Sequence, residues 1–261
     1  MVVITSDQRG VLLDAVRSMY TAVANQPEEE YHFPTGRRAC EYVGYPADQL
    51  DRIPPAAIES FAGVGYPFAA NVIRKGDTVL DIGSGSGTDA LLAAILTGPE
   101  GKVFALDMTR AMREKCQQNA ERMGLENVEV VDGTAEEIPL TDASVDVVTS
   151  NGVINLVPDK ARAMQEIHRV LKPGGRMQIS DIMVRDMPSD NCRAQPQLWA
   201  ECIVGATTEA DYMDKVREAG LVEPRRIQEL DYFAASTSDS TRKTAAGFGA
   251  HSVTFSAVKR G

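Results

Sequence analysis

Histidine, cysteine and tryptophan are scarce in this chain, with 3, 4 and 1 among 261 residues. Cys40, Cys116, Cys192 and Cys202 form no Cys-x-x-Cys pair. Their spacing excludes a zinc knuckle, announces no resident metal, and fits a reducing, cytoplasmic compartment. No apolar run approaches the ~18 residues of a membrane span. The opening Met-Val-Val-Ile-Thr-Ser-Asp has neither the basic region nor the apolar stretch of a secretory leader. Basic residues are outnumbered 27 to 37, and the net charge of −10 argues against a nucleic-acid backbone as the main partner. The length leaves room for one α/β domain with a sizeable core and some additions. There is no internal repeat.

What the chain does have is a run of glycines in a telling place. Val79-Leu-Asp81-Ile-Gly83-Ser84-Gly85-Ser-Gly87 carries a short apolar strand into an acid and then into three glycines spaced two apart. Such a turn brings the backbone close to a ligand, and the helical stretch 88–96 that follows makes it a helix N-terminus inside an α/β unit. The spacing is not the Gly-x-Gly-x-x-Gly of a dinucleotide site, because Thr88 stands where that pattern requires Gly or Ala. Asp81 would repel a pyrophosphate and attract a cationic ligand with an amino-acid tail.

Further strand-end signals follow in order. Lys102–Asp107 reads as a second buried strand ending in an acid, at the distance from the turn where an acid meets the ribose of a nucleoside. A helix over 110–123 and a third strand over 128–131 lead to Asp132-Gly133-Thr134-Ala135. A fourth strand over 145–150 delivers Asn151, and Leu171-Lys-Pro-Gly-Gly175 opens a fifth over 176–182.

Residues 1–70 form a separate N-terminal segment. Apolar residues at Val11, Leu12, Ala15, Val16, Met19 and Val23 predict an amphipathic helix over 7–24. From Pro27 to Pro55 the segment is expected to be ordered but irregular, with Tyr31, Phe33, Tyr42 and Tyr45 seeking burial. It is placed as a cap over the strands' carboxyl ends, where ligands bind in such sheets. Residues 184–207 are expected to form an irregular lid. A helix over 208–219 has Thr208 as N-cap and Gly220 as stop. Two last strands, 223–233 and 251–259, are joined by a polar loop over 234–249 whose 239–246 portion reads as mobile.

The glycine turn, Asp107, the Gly133–Ala135 segment and the Leu-Lys-Pro-Gly-Gly turn together resemble class I S-adenosylmethionine-dependent methyltransferases. Within that class the chain is similar to arsenite methyltransferases. Ser150-Asn151-Gly152-Val153-Ile154-Asn155-Leu156 resembles their Ser-Asn-Cys-Val-Ile-Asn-Leu signature, Phe61–Pro67 lies at their Gly-Cys-Gly-Asn-Pro segment, and Trp199–Ala206 resembles the segment with their late cysteine. The resemblance implies a Rossmann-like α/β fold: a seven-stranded, mostly parallel sheet with an antiparallel last strand, plus the cap. It implies S-adenosylmethionine as cofactor, held by Tyr20, Asp81, Gly83, Ser84, Gly85, Gly87, Asp107, Met108, Gly133, Thr134, Ala135 and Asn151. The acceptor is expected to be a small molecule.

The departures concern that acceptor. Arsenite methyltransferases hold trivalent arsenic by soft thiolates, and two of those positions are here Val64 and Gly152. Cys202 remains, with Cys40 as a newcomer. Candidate catalytic residues are Cys202, His32, Asn155 and Trp199, the last two taken from the resembling segments. Cys202 is a ligand or a small apolar filler, His32 a general base or a structural cap residue, and Glu28–Glu30 a solvated acidic face. Two readings stay beside arsenic chemistry. One is a C- or O-methyltransferase of a quinone-like or natural-product acceptor, marked by an apolar cavity without converging thiols. The other is an NAD-dependent oxidoreductase or a non-catalytic cofactor-binding protein.

Overall fold

The computed structural model describes residues 6–189, 199 and 203–261. Half of the expected lid, with Cys192 and Cys202, lies outside the described residues.

Helix α1 (Ser6–Asn25) buries Leu12, Val16 and Val23 but leaves Val11 55% exposed, because Val11 falls beyond the stripe that faces the core. The segment expected to be irregular contains three short helices, α2 (Gly36–Tyr42), α3 (Ala47–Leu50) and α4 (Pro55–Ile58). Each begins beside Gly or Pro, residues that open short helices as readily as loops. Phe33 and Tyr45 are buried as expected, whereas Tyr42 lies at the surface with its hydroxyl donating to Asp231 O.

Strand β1 (Thr78–Ile82) is an interior strand of the sheet. Val79 faces one apolar cluster and Leu80 and Ile82 the other, as the two-residue period requires. Helix α5 (Thr88–Thr97) follows, then β2 (Lys102–Asp107), α6 (Arg110–Arg122), β3 (Val128–Asp132), β4 (Val145–Asn151) and α7 (Lys160–Val170). Strand β5 (Leu171–Val184) begins earlier than expected, since Leu171 already pairs with Val145 and Lys172–Gly175 is an irregularity within the ladder. Then come β6 (Thr207–Thr208), α8 (Glu209–Glu218), β7 (Leu221–Leu230), α9 (Asp239–Phe248) and β8 (His251–Lys259).

The order across the sheet is β3-β2-β1-β4-β5-β8-β7. Only β8 runs antiparallel, to β5 on one side and β7 on the other. This is the expected mostly parallel sheet, with one addition among the described residues: the two-residue β6 pairs with the end of β5. Thr208 caps α8 by accepting from Asp211 N, as its position in the sequence predicts.

Helix α9 replaces part of the expected mobile loop. Ser238 caps it by accepting from Thr241 N, and Gly249 closes it in the left-handed region at φ +59°. Its polar sequence has a weak apolar stripe, and burial of Thr241 and Ala245 supplies the stability that propensity lacks. Strand β7 likewise stops at Leu230, because the Asp231 carboxylate accepts from Ala234 N and turns the chain into a short 3-10 helix over Tyr232–Ala235.

Candidate functional site

The site is built at the carboxyl ends of β1, β2 and β4. Gly83 N and Ser84 N both donate to Leu106 O, at 2.7 and 3.0 Å, which pins the glycine turn to β2. Gly83, Gly85 and Gly87 have φ of +72°, +54° and +100°, a region that side-chain-bearing residues enter only at a cost. A Cβ on Gly83 would lie 2.3 Å from Val153, and one on Gly133 would lie 2.8 Å from both Leu106 and Pro139. The glycines therefore keep open a cradle that β-carbons would fill.

Above the cradle is an open cavity. Its wall includes Tyr20, Gly83, Ser84, Gly85, Asp107, Met108, Gly133, Thr134, Ala135 and Asn151, ten of the twelve residues the resemblance assigns to the cofactor. The other two lie beneath it. Asp81 is 1% exposed and accepts from Ala90 N at the start of α5. Gly87 faces Cys116, whose Sγ would be 3.0 Å from a Cβ there.

Asp107 is fixed from both sides. Its Oδ2 accepts from Gly85 N at 2.9 Å and its Oδ1 from Thr109 N at 2.7 Å. Burial raises its pKa, and these two amides oppose the rise. Burial raises Asp81 further, with Asp89 and Asp107 adding repulsion. Cys116 is buried in α6, its thiol pushed up to about 12 by burial, so it stays protonated.

The cap closes the cavity through bonds that the sequence did not announce. Leu13, Val16, Tyr20 and Ser60–Gly63 line it. Ser86 Oγ and Thr88 Oγ1 each donate to Ala57 O at 2.7 Å, so the residue that breaks the dinucleotide pattern ties the glycine turn to the cap. Lys115 Nζ reaches Ala24 O, Ser60 Oγ and Glu59 Oε1. Arg9 pairs with the buried Glu136 carboxylate at 2.7 Å.

Asn151 is the hinge of the acceptor-facing side. Its Oδ1 accepts from Val64 N at 2.8 Å and Gly65 N at 3.1 Å, and its Nδ2 donates to Gly65 O, the Tyr45 hydroxyl and Asp89 Oδ2. This close approach needs small residues. A Cβ on Gly63 would stand 2.5 Å from Asn151 Nδ2, and one on Gly65 would stand 2.6 Å from Ser180. Asp89 lines the cavity and accepts from the Tyr45 hydroxyl. Burial raises its pKa to about 6, while the Tyr45 and Asn151 bonds lower it. The sequence reading missed Asp89 and Tyr45: an acid in a helix's first turn looks like an ordinary dipole partner, and a tyrosine in an irregular segment looks like packing.

Of the four catalytic candidates, the three that are described, His32, Asn155 and Trp199, do not line the cavity. His32 is mostly buried against Phe33, with its imidazole held neutral by burial at a pKa of about 4, and it does not line the cavity. Asn155 is fully buried, its N–H donating to Asp181 Oδ2. Trp199 is buried with Nε1 donating to Leu156 O at 2.8 Å and Lys160 Nζ 5.1 Å over its ring. Cys202 lies outside the described residues. Cys40 is fully buried away from the cavity wall, its thiol raised strongly by burial.

The wall fits S-adenosylmethionine. Its acidic residues are Asp89, Asp107 and Glu136, and no Lys, Arg or His lines it among the described residues. Arg9 answers Glu136 from behind the wall, while acids with no basic residue on the same wall favour a cation and disfavour a pyrophosphate. Asp107 would hold the ribose hydroxyls and Gly133–Ala135 the adenine.

Comparison with known proteins agrees. Residues 73–220 match the family described as Methyltransferase domain. The chain is 40% identical over 180 residues to the arsenite methyltransferase of Halobacterium salinarum, covering 69% of this chain and 46% of that protein. It is 38% identical over 103 residues to the demethylmenaquinone methyltransferase of Geobacillus stearothermophilus, covering 40% of this chain and 44% of that one. Among solved structures it resembles the arsenic(III) S-adenosylmethionine methyltransferase of Chlamydomonas reinhardtii, with a TM-score of 0.64, 29% identity, and coverage of 87% of this chain and 75% of that chain. The chain spans about half the length of the curated arsenite methyltransferases it matches first. With the strand order, the glycine cradle and the anionic cavity, these matches make the chain a member of the class I S-adenosylmethionine-dependent methyltransferase family, of arsenite methyltransferase-like type.

Proposed function

We propose that the protein transfers a methyl group from S-adenosylmethionine to a small, apolar acceptor that brings its own nucleophilicity, and that arsenite is a poor substrate. The observation that carries this reading is the meeting of Val64 and Gly152. A Cβ on Gly152 would lie 3.1 Å from Val64 Cγ1, so the two positions where the resemblance expects thiolates are neighbours here and neither can bind arsenic. Loss of two ligands of three removes most of a soft site's affinity.

When bound, the cofactor supplies an electrophilic methyl group on a sulfonium. The chain's part is then alignment and exclusion of water. Leu13, Val16, Tyr20 and Phe61 close the cavity from the cap, and Val153 and Leu156 form the opposite apolar wall. No histidine, lysine or cysteine lines the cavity among the described residues, and its carboxylates are already engaged, Asp89 by Tyr45 and Asn151, Asp107 by Gly85 N and Thr109 N, and Glu136 by Arg9, so the acceptor atom is one that is reactive without a dedicated base. An electron-rich carbon of a quinol-like molecule meets these terms, and the demethylmenaquinone relative favours it. The cap, residues 1–70, selects the acceptor. The proposed setting is cytoplasmic. Among the described residues no helix is long and apolar enough to cross a membrane.

The test is a methyl-transfer screen over hydroquinones, phenols, thiols, selenols, arsenite and methylarsenite, reading S-adenosylhomocysteine. Turnover of a quinol or phenol with little on arsenite is the expected result. The paired substitution Val64→Cys with Gly152→Cys should gain arsenite binding, although position 152, at φ +75°, makes any side chain pay about 1 kcal/mol or more. Robust arsenite methylation that survives Cys202→Ser would overturn the reading.

A further inference from the structure

Asp89 and its partner Asn151 stand between two halves of the site. On one side it is part of the cavity wall, beneath the glycine turn. On the other, its carboxylate takes the Tyr45 hydroxyl on one oxygen and Asn151 Nδ2 on the other. Asn151 in turn holds Val64 N and Gly65 N, and the wall residue Gly63 packs on its side chain.

The charges around Asp89 have no internal answer. Among the described residues, Asp81 is its buried neighbour, Oδ2 of Asp81 has no hydrogen-bond partner, and the other ionisable groups facing Asp89 are Tyr45, Tyr66 and Cys40. None of these is a cation, and a buried carboxylate without a counter-charge is held partly protonated. A positive ligand in the cavity reverses that balance. The ionised carboxylate then grips Tyr45 and Asn151 through charge-assisted bonds, which are roughly twice as strong as neutral ones.

We propose that Asp89 is a positioning residue that joins the two halves of the site: it answers the positive charge of the cofactor and, through Tyr45 and Asn151, fixes the Gly63–Gly65 wall on the acceptor side. This rests on S-adenosylmethionine being the ligand of the cavity. At pH 6, where burial leaves Asp89 partly protonated, cofactor binding therefore releases the proton that remains and stiffens a wall that the cofactor itself does not build. The acceptor then meets a finished surface only when the methyl donor is in place.

Two readouts separate the halves. The first is the S-adenosylmethionine Kd by calorimetry, and the second is hydrogen exchange at the amides of Val64 and Gly65 at pH 6, with and without saturating S-adenosylmethionine. In the parent, the cofactor should slow these amides about tenfold. Asp89→Asn should weaken the cofactor about tenfold or more and abolish the added protection even at saturation. Tyr45→Phe keeps the charge but cuts one bridge, so affinity should stay within about threefold while most of the added protection disappears. Calorimetry in two buffers of different ionisation enthalpy should show proton release in the parent and none in Asp89→Asn. Parent-like affinity in Asp89→Asn, or full cofactor-dependent protection in Tyr45→Phe, would overturn the proposal while leaving the cofactor assignment standing. Failure of the parent to bind S-adenosylmethionine at all would overturn the cofactor assignment and this proposal with it.

Discussion

The turn at Gly83–Gly87 and the cap over it are held in opposite ways. The turn takes its bonds from a nearby stretch of chain: Leu106 O accepts Gly83 N and Ser84 N, and Asp107 accepts Gly85 N. The cap is fastened by side chains far away in sequence, with Arg9 on Glu136, Lys115 on Ser60, Thr88 on Ala57 and Asn151 on Val64. Backbone geometry makes the first half rigid and tolerant of few side chains. The second half can be loosened one bond at a time while the sheet beneath it stands.

Gly83→Ala should break the contrast most sharply. The new methyl meets Val153 at 2.3 Å in a left-handed backbone, for a cost of about 2–4 kcal/mol in stability and complete loss of cofactor binding. Denaturant unfolding and calorimetry check it, and a variant as stable as the parent would refute the cradle. Asp107→Ala should leave the fold intact and weaken S-adenosylmethionine by ten- to a hundred-fold, about 1.5–3 kcal/mol, as charge-assisted bonds to the ribose are lost.

Asp181 tests the far side of the sheet by pH. It is fully buried, accepts from Asn155 N, Ile182 N and the Tyr212 hydroxyl, and burial lifts its pKa to about 7. The folded state therefore binds a proton that the unfolded chain has released. Its stabilising contribution is full below about pH 4 and is lost as the pH rises to about 7, at up to about 1.4 kcal/mol per pH unit. Asp89, raised to about 6, acts with the same sign. Asp181→Asn should flatten the dependence of unfolding midpoint on pH in that window, and an unchanged slope would rule the carboxyl out as its source.

The smallest effect belongs to a single cap tether. Lys115→Ala removes three bonds to the cap and should cost about 1 kcal/mol. Limited proteolysis should then cut faster within residues 26–60, with cleavage in the sheet unchanged. Equal acceleration in both would mean that cap and sheet open together.

The sequence by itself determined the parallel sheet, the glycine turn and the acid at the end of β2, because these depend on near neighbours. Alternation writes a strand, a Gly-x-Gly-x-Gly run writes a turn that only glycine can fill, and a strand end places an acid at a fixed distance from it. Helix α9 escaped notice because its stripe is thin and its stability comes from packing. The tertiary structure alone decided that Asp81 lies under the turn rather than in the wall, and that Asp89 takes the place in the wall beside Tyr45 and Asn151. It also decided that Val64 touches Gly152 across a long stretch of chain. Contacts of that kind leave no period or spacing in the sequence, since they come from the way separate elements pack.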